Sequence, residues 1–301
     1  MKGFLEKYLS KFFIQQWTIG IAKADMREIV RAKNFNPDIK WLAVGEKHKF
    51  YADPFLLKRD DGGYSILLED YSFNDEYGKL SVIDYTENAS LNTSKVILDT
   101  KSHLSYPFIF RENGKYYVFP EAAQSGKLSC YEYDAEKREL SFVQDVINLP
   151  LLDSTIVKYK NKYWLFGTLL GADADSKLHI FYADQLLGPY TAHQGNPVKS
   201  GIDSARPAGN IMEIDGVLYR PAQNSTYTYG GSMVLNKITV LSEKEFVEEF
   251  YMILQVDKKN NCNRGMHAMH TINYIEDTIV VDGTRWVFSP ALKWKQWGMK
   301  S

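Results

Sequence analysis

The 301-residue sequence has little cysteine, almost no net charge and no long apolar run. Its two cysteines, Cys130 and Cys262, lie far apart and lack metal-ligand spacing, so neither a disulfide framework nor a zinc site is predicted. The net charge of −1 provides no basic surface for nucleic acid, and no nucleic-acid partner is expected. Scarce cysteine fits a reducing compartment, so the expected location is the cytoplasm, either free or peripheral to the inner face of the membrane.

The first 45 residues are expected to form a helical lead-in to the main domain. Glu6, Lys7 and Lys11 interrupt the N-terminal apolar residues, so no signal peptide or membrane span is predicted. The apolar residues that recur at helical spacing are Leu5, Tyr8, Leu9, Phe12, Phe13 and Trp17. Such a helix either packs against the protein's own body or lies on a membrane surface or a partner, and residues 292–301, rich in Trp and Lys, are open to the same interpretations.

Aromatic residues, by contrast, are abundant, and with 20 Tyr and 16 Phe they favour strands. Five segments share one pattern: a polar or Pro-bearing start, a short apolar strand, a turn, and a second aromatic-rich strand. They are spaced by about 50 to 60 residues. Their opening positions lie near Asp53, Tyr106, Asp153, Arg206 and His270. With weaker strands between them, this repeat predicts an all-β, five-bladed β-propeller over residues 46–301, with a β-sandwich as the competing fold.

A propeller gives the five opening positions a common location. The innermost strands run along a central funnel, and their first residues face its mouth. A carboxylate such as Asp53 is costly in an apolar strand unless it faces a cavity, water or a partner. We therefore expect Asp53, Tyr106, Asp153, Arg206 and His270 to surround one axis.

Short motifs in sequence order resemble two known groups of proteins. "ADPFLL", "LDSTIVKYKNKYWLFGT" and "LLGPYTAHQGNPV" are similar to segments of the five-bladed glycoside hydrolases of families 43 and 32. A closer resemblance, over almost the whole chain, is to the N-terminal domain family of glucosamine inositolphosphorylceramide transferase and its bacterial relatives. It is carried by "WTIGI", "FYADPFLL", "SYPFIF", "VFPEA", "LDSTI", "ARPAGNI", "LYRPAQNSTYTYGG" and "HTI…VVDGTR".

The hydrolase resemblance implies an acid–base site at the funnel. It implies a first-blade Asp as base or nucleophile, a third-blade Asp that tunes and orients, and a Glu acid in a later blade; Asp53 and Asp153 match the first two. The fourth blade has Arg206 where the acid is expected, and a guanidinium stays charged, so it donates no proton to a leaving group. Glu121 or Glu69 is then the candidate acid.

The alternative is a leaving group that needs no acid, namely a phosphate held by cations. Arg206, Arg220, His267 and His270 are the candidate cations, with Asp53 as the base towards an acceptor hydroxyl. The two histidines are three residues apart in a strand-rich region, so at most one faces the funnel, and His270 is preferred because it opens the strand.

The remaining expectations concern sugar contacts and metal. Gln223, Tyr106 and Tyr229 are candidate substrate-binding residues. Asp282 is interpreted as a turn residue before Gly283. No metal ligand is assigned and no cofactor is firmly implied. The family 43 resemblance associates a last-blade His with a central ion, so a divalent ion such as calcium, or a water cluster, near the axis stays open.

Together these patterns predict a carbohydrate-active propeller that takes part in glycosyl transfer from a phosphorylated sugar donor, in the synthesis of a cell-surface polysaccharide or glycolipid. Two alternatives stay open: a glycoside hydrolase or phosphorylase with Asp53 as base, and a non-catalytic sugar-binding module. In the resembled transferase the propeller accompanies a separate catalytic domain, for which this chain has no room, and this counts towards the binding module.

Overall fold

The computed structural model describes residues 12–85, 91–257 and 265–293, and most of its regular structure is strand. The strands form five antiparallel sheets, which are the five blades of a β-propeller. The predicted all-β, five-bladed fold is confirmed. Within the described ranges, no helix is both long and apolar enough to cross a bilayer.

The described chain begins in the last blade. Its first elements are β1 (Phe13–Lys23), α1 (Met26–Ala32) and β2 (Lys40–Trp41). The side chain of Asp25 accepts the backbone N–H of Arg27 and so caps the start of α1, and Lys33 ends the helix in the left-handed conformation.

Four blades then follow along the chain. Blade 1 consists of β3 (Lys49–Lys58), β4 (Tyr64–Ser72), β5 (Tyr77–Tyr85) and β6 (Lys95–Leu98). Blade 2 consists of β7 (Ser105–Glu112), β8 (Lys115–Glu121), β9 (Leu128–Asp134) and β10 (Glu139–Ile147). Blade 3 consists of β11 (Leu151–Tyr159), β12 (Lys162–Leu169), β13 (Lys177–Ala183), β14 (Thr191–Ala192) and β15 (Lys199–Ser200). Blade 4 consists of β16 (Met212–Ile214), β17 (Val217–Asn224), β18 (Ser232–Leu241) and β19 (Phe246–Leu254). Single 3-10 turns lie at Leu91–Thr93 and Ala123–Ser125.

Blade 5 joins the two ends of the described chain. It contains β20 (Ile272–Ile275) and β21 (Thr278–Phe288), and its strand order is β2-β1-β21-β20. β1 pairs with β21 along its whole length, from Phe13 opposite Phe288 to Lys23 opposite Thr278. This pairing closes the ring of blades and leaves no open gap between the first and last sheets.

The helix predicted from Phe12, Phe13 and Trp17 is wrong for the residues that the structure describes, because Phe13–Lys23 is a strand. Long-range pairing with β21 determines the conformation here, and the strand is rich in β-branched and aromatic residues. The propeller therefore includes residues on the N-terminal side of residue 46. Residues 1–11 and 294–301, on which the remaining expectations for the termini depend, lie outside the described residues.

A repeated β-bulge turns three side chains at the starts of the innermost strands. The pairing register shifts immediately after Ala52 in β3, Ser105 in β7 and Leu152 in β11. The residue that follows each shift has a positive φ: 50° at Asp53, 41° at Tyr106 and 49° at Asp153. A non-glycine residue in this conformation costs about 1–2 kcal/mol. The same strained bulge in three blades marks the funnel mouth as a place where side-chain direction matters.

Candidate functional site

Five acidic side chains are buried where the blades meet at the funnel mouth: Asp53, Glu69, Glu121, Asp153 and Asp282. Four of them were predicted from the sequence. Asp282 was interpreted as a turn residue, and that interpretation is wrong: it lies fully buried within β21. The Asp-Gly pair suggests a turn, but Gly283 is needed here for close packing. A Cβ at this position would lie 2.4 Å from the ring of Trp41.

Asp53 lies among hydrogen-bond donors from two other blades. Its Oδ1 accepts the hydroxyl of Thr271 at 2.7 Å, and its Oδ2 accepts the backbone N–H of Tyr106 at 3.2 Å. Its own N–H donates to Asp282 Oδ2 at 3.1 Å. Burial raises the pKa of Asp53 to about 6, against the opposing effect of the positive charge on His270. At neutral pH the group is mostly ionised and can accept a proton.

His270 lies between Asp53 and Asp282. Its Nδ1 lies 2.6 Å from Asp282 Oδ2, and its Nε2 lies 3.5 Å from Asp53 Oδ1. Burial disfavours the charged ring, but Asp282 and Asp53 outweigh it and raise the pKa of His270 to about 9. The protonated imidazole therefore neutralises part of the acidic cluster at neutral pH.

The three residues Asp53, His270 and Asp282 offer atoms close enough together to hold a metal ion, within 4.8 Å of one another. Their existing bonds oppose that role. Asp282 Oδ1 already accepts the N–H groups of His270 and Thr271, and its Oδ2 accepts the N–H of Asp53 and faces the ring of His270. The oxygens of Asp282 that a cation would need are therefore already hydrogen-bonded. The residues fit a protonated imidazole better than a divalent ion.

Arg206 is held by protein carboxylates. Its Nε lies 2.5 Å from Asp153 Oδ2, its Nη1 lies 2.9 Å from Asp175 Oδ1, and its Nη2 lies 3.7 Å from Glu121 Oε2. Asp153 also accepts the side-chain amide of Gln223 at 2.6 Å. Asp175 was not predicted, since nothing in its local sequence marks it. It is the most exposed of these partners and the one that a ligand can most readily replace.

Glu121 links blade 2 to blade 3. Its Oε2 accepts the backbone N–H of Asp153 at 3.0 Å. Burial and the neighbouring charge of Asp153 raise the pKa of Glu121 to about 8, while Arg206 opposes the shift. At neutral pH the carboxyl is therefore mostly protonated and can donate a proton.

Glu69 lies at the same register position in blade 1 as Glu121 in blade 2, but it bonds differently. Its Oε1 is buried and has no hydrogen-bond partner among the described residues. Burial, followed by the charges of Asp53 and Glu121, raises its pKa well above the ordinary value. The nearest basic group is Nε2 of His103 at 3.8 Å, a residue that was not predicted. His103 Nδ1 accepts the N–H of Gly78, so Nε2 is the nitrogen that carries the proton.

Aromatic side chains cover the mouth. The ring of Tyr229 lies 5.8 Å from that of His270 and 5.7 Å from the guanidinium of Arg206, and the ring of Trp17 lies 4.2 Å from His270. Gly230 permits this approach: its φ is 59°, and a Cβ there would lie 2.9 Å from His270 and 3.1 Å from Trp17. Tyr229, with an accessible face, is suited to stacking on a sugar ring.

Three predicted residues have other surroundings. Tyr106 is fully buried. Its ring packs edge-on against Phe55 at 4.9 Å, and its hydroxyl accepts the N–H of Gly209, so its side chain contacts protein groups. Arg220 is enclosed in blade 4. His267 stacks on the ring of Trp286 at 5.5 Å. The structure brings none of these three side chains to the face of the cluster that a ligand could reach.

The sequence matches the family model described as "Glucosamine inositolphosphorylceramide transferase 1, N-terminal" over residues 39–284. The chain belongs to this family. Among its relatives, glucosamine inositolphosphorylceramide transferase 1 of Arabidopsis thaliana is 34% identical over 236 residues, and that of Oryza sativa subsp. japonica is 32% identical over 234 residues. Each match covers 75% of this chain, but only 30% and 31% of the relative. The chain thus spans about a third of the length of these curated relatives.

Solved structures share the fold of this family member at low sequence identity. A family 117 glycoside hydrolase of the marine bacterium Zobellia galactanivorans matches 93% of this chain and 92% of its own, with a TM-score of 0.56 and 13% identity. A family 43 β-1,3-galactosidase matches 72% of this chain and 52% of its own, with a TM-score of 0.56 and 15% identity. Both likenesses bear on the fold alone.

Proposed function

We propose that the funnel mouth is a carbohydrate site that catalyses glycosyl transfer by acid–base chemistry. The observation that carries the proposal is the pair of buried carboxyls with opposite protonation, Asp53 with a pKa of about 6 and Glu121 with a pKa of about 8. Two carboxyls whose environments push their pKa values apart are suited to the roles of base and acid. Asp53 takes the proton of an acceptor hydroxyl as its oxygen bonds to the sugar carbon. Glu121 gives its proton to the leaving oxygen as the old bond breaks; a phosphate can leave without this proton, but the proton reduces the negative charge that develops on it.

The donor in this proposal is a phosphorylated sugar. Arg206 can bind the donor phosphate only if one of its carboxylate partners is displaced. Asp153 is buried and fixes the guanidinium from one side, whereas Asp175 is accessible and bonds Nη1 from the other. A donor phosphate that replaces Asp175 gains a charge-assisted bond, while the orientation of Arg206 is kept.

Hydrolysis is the second candidate, because the same pair acts equally well on a water molecule. In that case Asp53 activates water, Glu121 protonates the leaving group, and Arg206 keeps all its protein partners. Activity with neutral glycosides, unaffected by Asp175→Asn, favours this candidate.

The setting of the reaction is also a proposal. The plant relatives are named as transferases to inositolphosphorylceramide, a lipid acceptor. We propose that this chain acts in the synthesis of a surface polysaccharide or glycolipid, and the names of these relatives support the glycolipid. A cytoplasmic location is a separate proposal. A non-catalytic role in recognising the same sugars is the outcome if no turnover is found.

The test is turnover by Asp53→Asn and Glu121→Gln with a panel of nucleotide sugars and neutral glycosides. We expect each variant to lose at least about a hundredfold in turnover and to keep ligand binding, because the replacements preserve shape. Asp277→Asn, which alters an exposed carboxylate far from the site, is the control. Unchanged turnover in Asp53→Asn would contradict the assignment of Asp53 as the base.

A further inference from the structure

The strand pair β1/β21 continues past the funnel mouth and ends in exposed aromatic side chains. Asp282 lies at the mouth, and Phe288 is six positions further along β21, about 20 Å along an extended strand. Phe12 is 42% exposed, Trp286 47% and Phe288 57%. The ring of Phe13 packs edge-on against Phe288 at 5.4 Å. This end of the strand pair, its tip, therefore exposes three aromatic side chains.

A second element places an aromatic side chain on the same side of the propeller. Tyr227, in the loop between β17 and β18, is 98% exposed. The same loop covers the mouth, since Tyr229 contacts His270 and Gly230 lies against Trp17. We refer to Phe12, Tyr227, Trp286 and Phe288 as the rim aromatics.

Both terminal segments of the sequence join the described chain at this tip. Residues 1–11 lead into Phe12, and residues 294–301 follow closely after Phe288. Together these segments contain five lysines and one glutamate, and they include Phe4, Tyr8, Trp294 and Trp297. The sequence directly adjoining the rim aromatics is therefore rich in positive charge and in further aromatic residues.

We propose that the rim aromatics form a docking surface for an anionic lipid bilayer, with the funnel mouth turned towards the membrane. Tyr and Trp side chains favour the headgroup region of a bilayer, and lysines near an anionic surface are attracted to it electrostatically. A second protein would account for the aromatic residues but not for the excess of lysine. The inference deepens the proposed function by giving a lipid-linked acceptor a route to Asp53, but vesicle binding itself requires no catalysis.

Vesicle flotation of the full chain tests the proposal, with phosphatidylcholine vesicles that either contain or lack about a third of phosphatidylglycerol. We expect binding to the anionic vesicles only, and a loss of about tenfold or more in Trp286→Ser/Phe288→Ser. Phe142→Ser/Phe250→Ser is the matched control. These two aromatics are 60% and 66% exposed, but they lie on the outer strands β10 and β19.

Three results overturn the proposal: wild type that does not bind anionic vesicles, an equal loss in the control pair, and a rim variant that changes the oligomeric state but not vesicle binding. The first two exclude a specific membrane face, and the third assigns the rim to a second copy of the chain. Turnover of a soluble acceptor is measured in parallel. Because the rim variants leave Asp53 and Glu121 intact, loss of vesicle binding with normal turnover separates this proposal from the catalytic one.

Discussion

Arg206 precedes blade 4 and its side chain is 12% exposed, whereas Arg220 lies within blade 4 and is 1% exposed; both pair with carboxylates, yet their surroundings differ. Arg220 donates to Glu248 at 2.6 and 2.8 Å and to the carbonyls of Ser204 and Ala205, and none of these acceptors is open to exchange. Arg206 borders the ring of Tyr229, and one of its carboxylate partners is accessible. A buried arginine is therefore not in itself a sign of ligand binding. An arginine in a binding site differs from one in a structural ion pair because a ligand can replace one of its protein partners.

The largest expected effect is on Arg220. Arg220→Met leaves the buried carboxylate of Glu248 with Lys199 as its remaining partner among the described residues, so we expect it to lower the free energy of unfolding by about 3–5 kcal/mol. Urea denaturation measures this loss, and Arg220→Met/Glu248→Leu should recover much of it because no buried charge is left unpaired. A loss below about 1 kcal/mol would show that the pair is not structural.

Arg206→Met is expected to cost less stability, about 1–3 kcal/mol, because Asp153 keeps its bond from Gln223 and Asp175 becomes hydrated. Its effect on binding of a phosphorylated sugar should be the larger one, whereas Arg220→Met should leave binding unchanged at temperatures where it is folded. Calorimetric titration of both variants with a nucleotide sugar provides the comparison. Equal binding by wild type and Arg206→Met would contradict the role given to Arg206.

The sequence predicted the blades well and the site only in part. The return of one hairpin pattern identified the propeller, because each blade repeats the same local pairing. Asp53, Asp153 and Glu121 were found because they occupy fixed positions in that repeat. Partners that are distant in sequence were not predictable: the pairing of β1 with β21, and the Glu248 that encloses Arg220, have no local signal. Asp175 and His103 were missed for the same reason.

A smaller effect concerns the pH dependence of stability. The pKa of Glu121 is about 8 in the folded protein, above the 4.5 of a free Glu, so the folded state binds the proton more tightly. Stability from this group is fully present below pH 4.5 and is lost as the pH rises to 8. Asp153 and Arg206 are the charged groups that face it. Urea denaturation between pH 5 and 9 should show a smaller decline in Glu121→Gln than in wild type, and equal declines would contradict the shift.

The smallest expected effect is that of Asp175→Asn. The side chain is more than a third exposed, so its pair with Arg206 contributes less than about 1 kcal/mol to stability. If a donor phosphate replaces Asp175, this variant should bind phosphorylated sugars as well as wild type does, or better, because a competing anion is gone. Weaker binding would assign Asp175 to the ligand contacts instead.

The pH dependence of kcat/KM for the best substrate found tests the acid–base pair most directly. The account predicts a bell-shaped profile in wild type, with limbs near the pKa values of Asp53, about 6, and Glu121, about 8. Glu121→Gln should lose the alkaline limb from its residual activity and keep the acid one. A Glu121→Gln profile with the same two limbs as wild type would contradict the assignment of Glu121 as the acid.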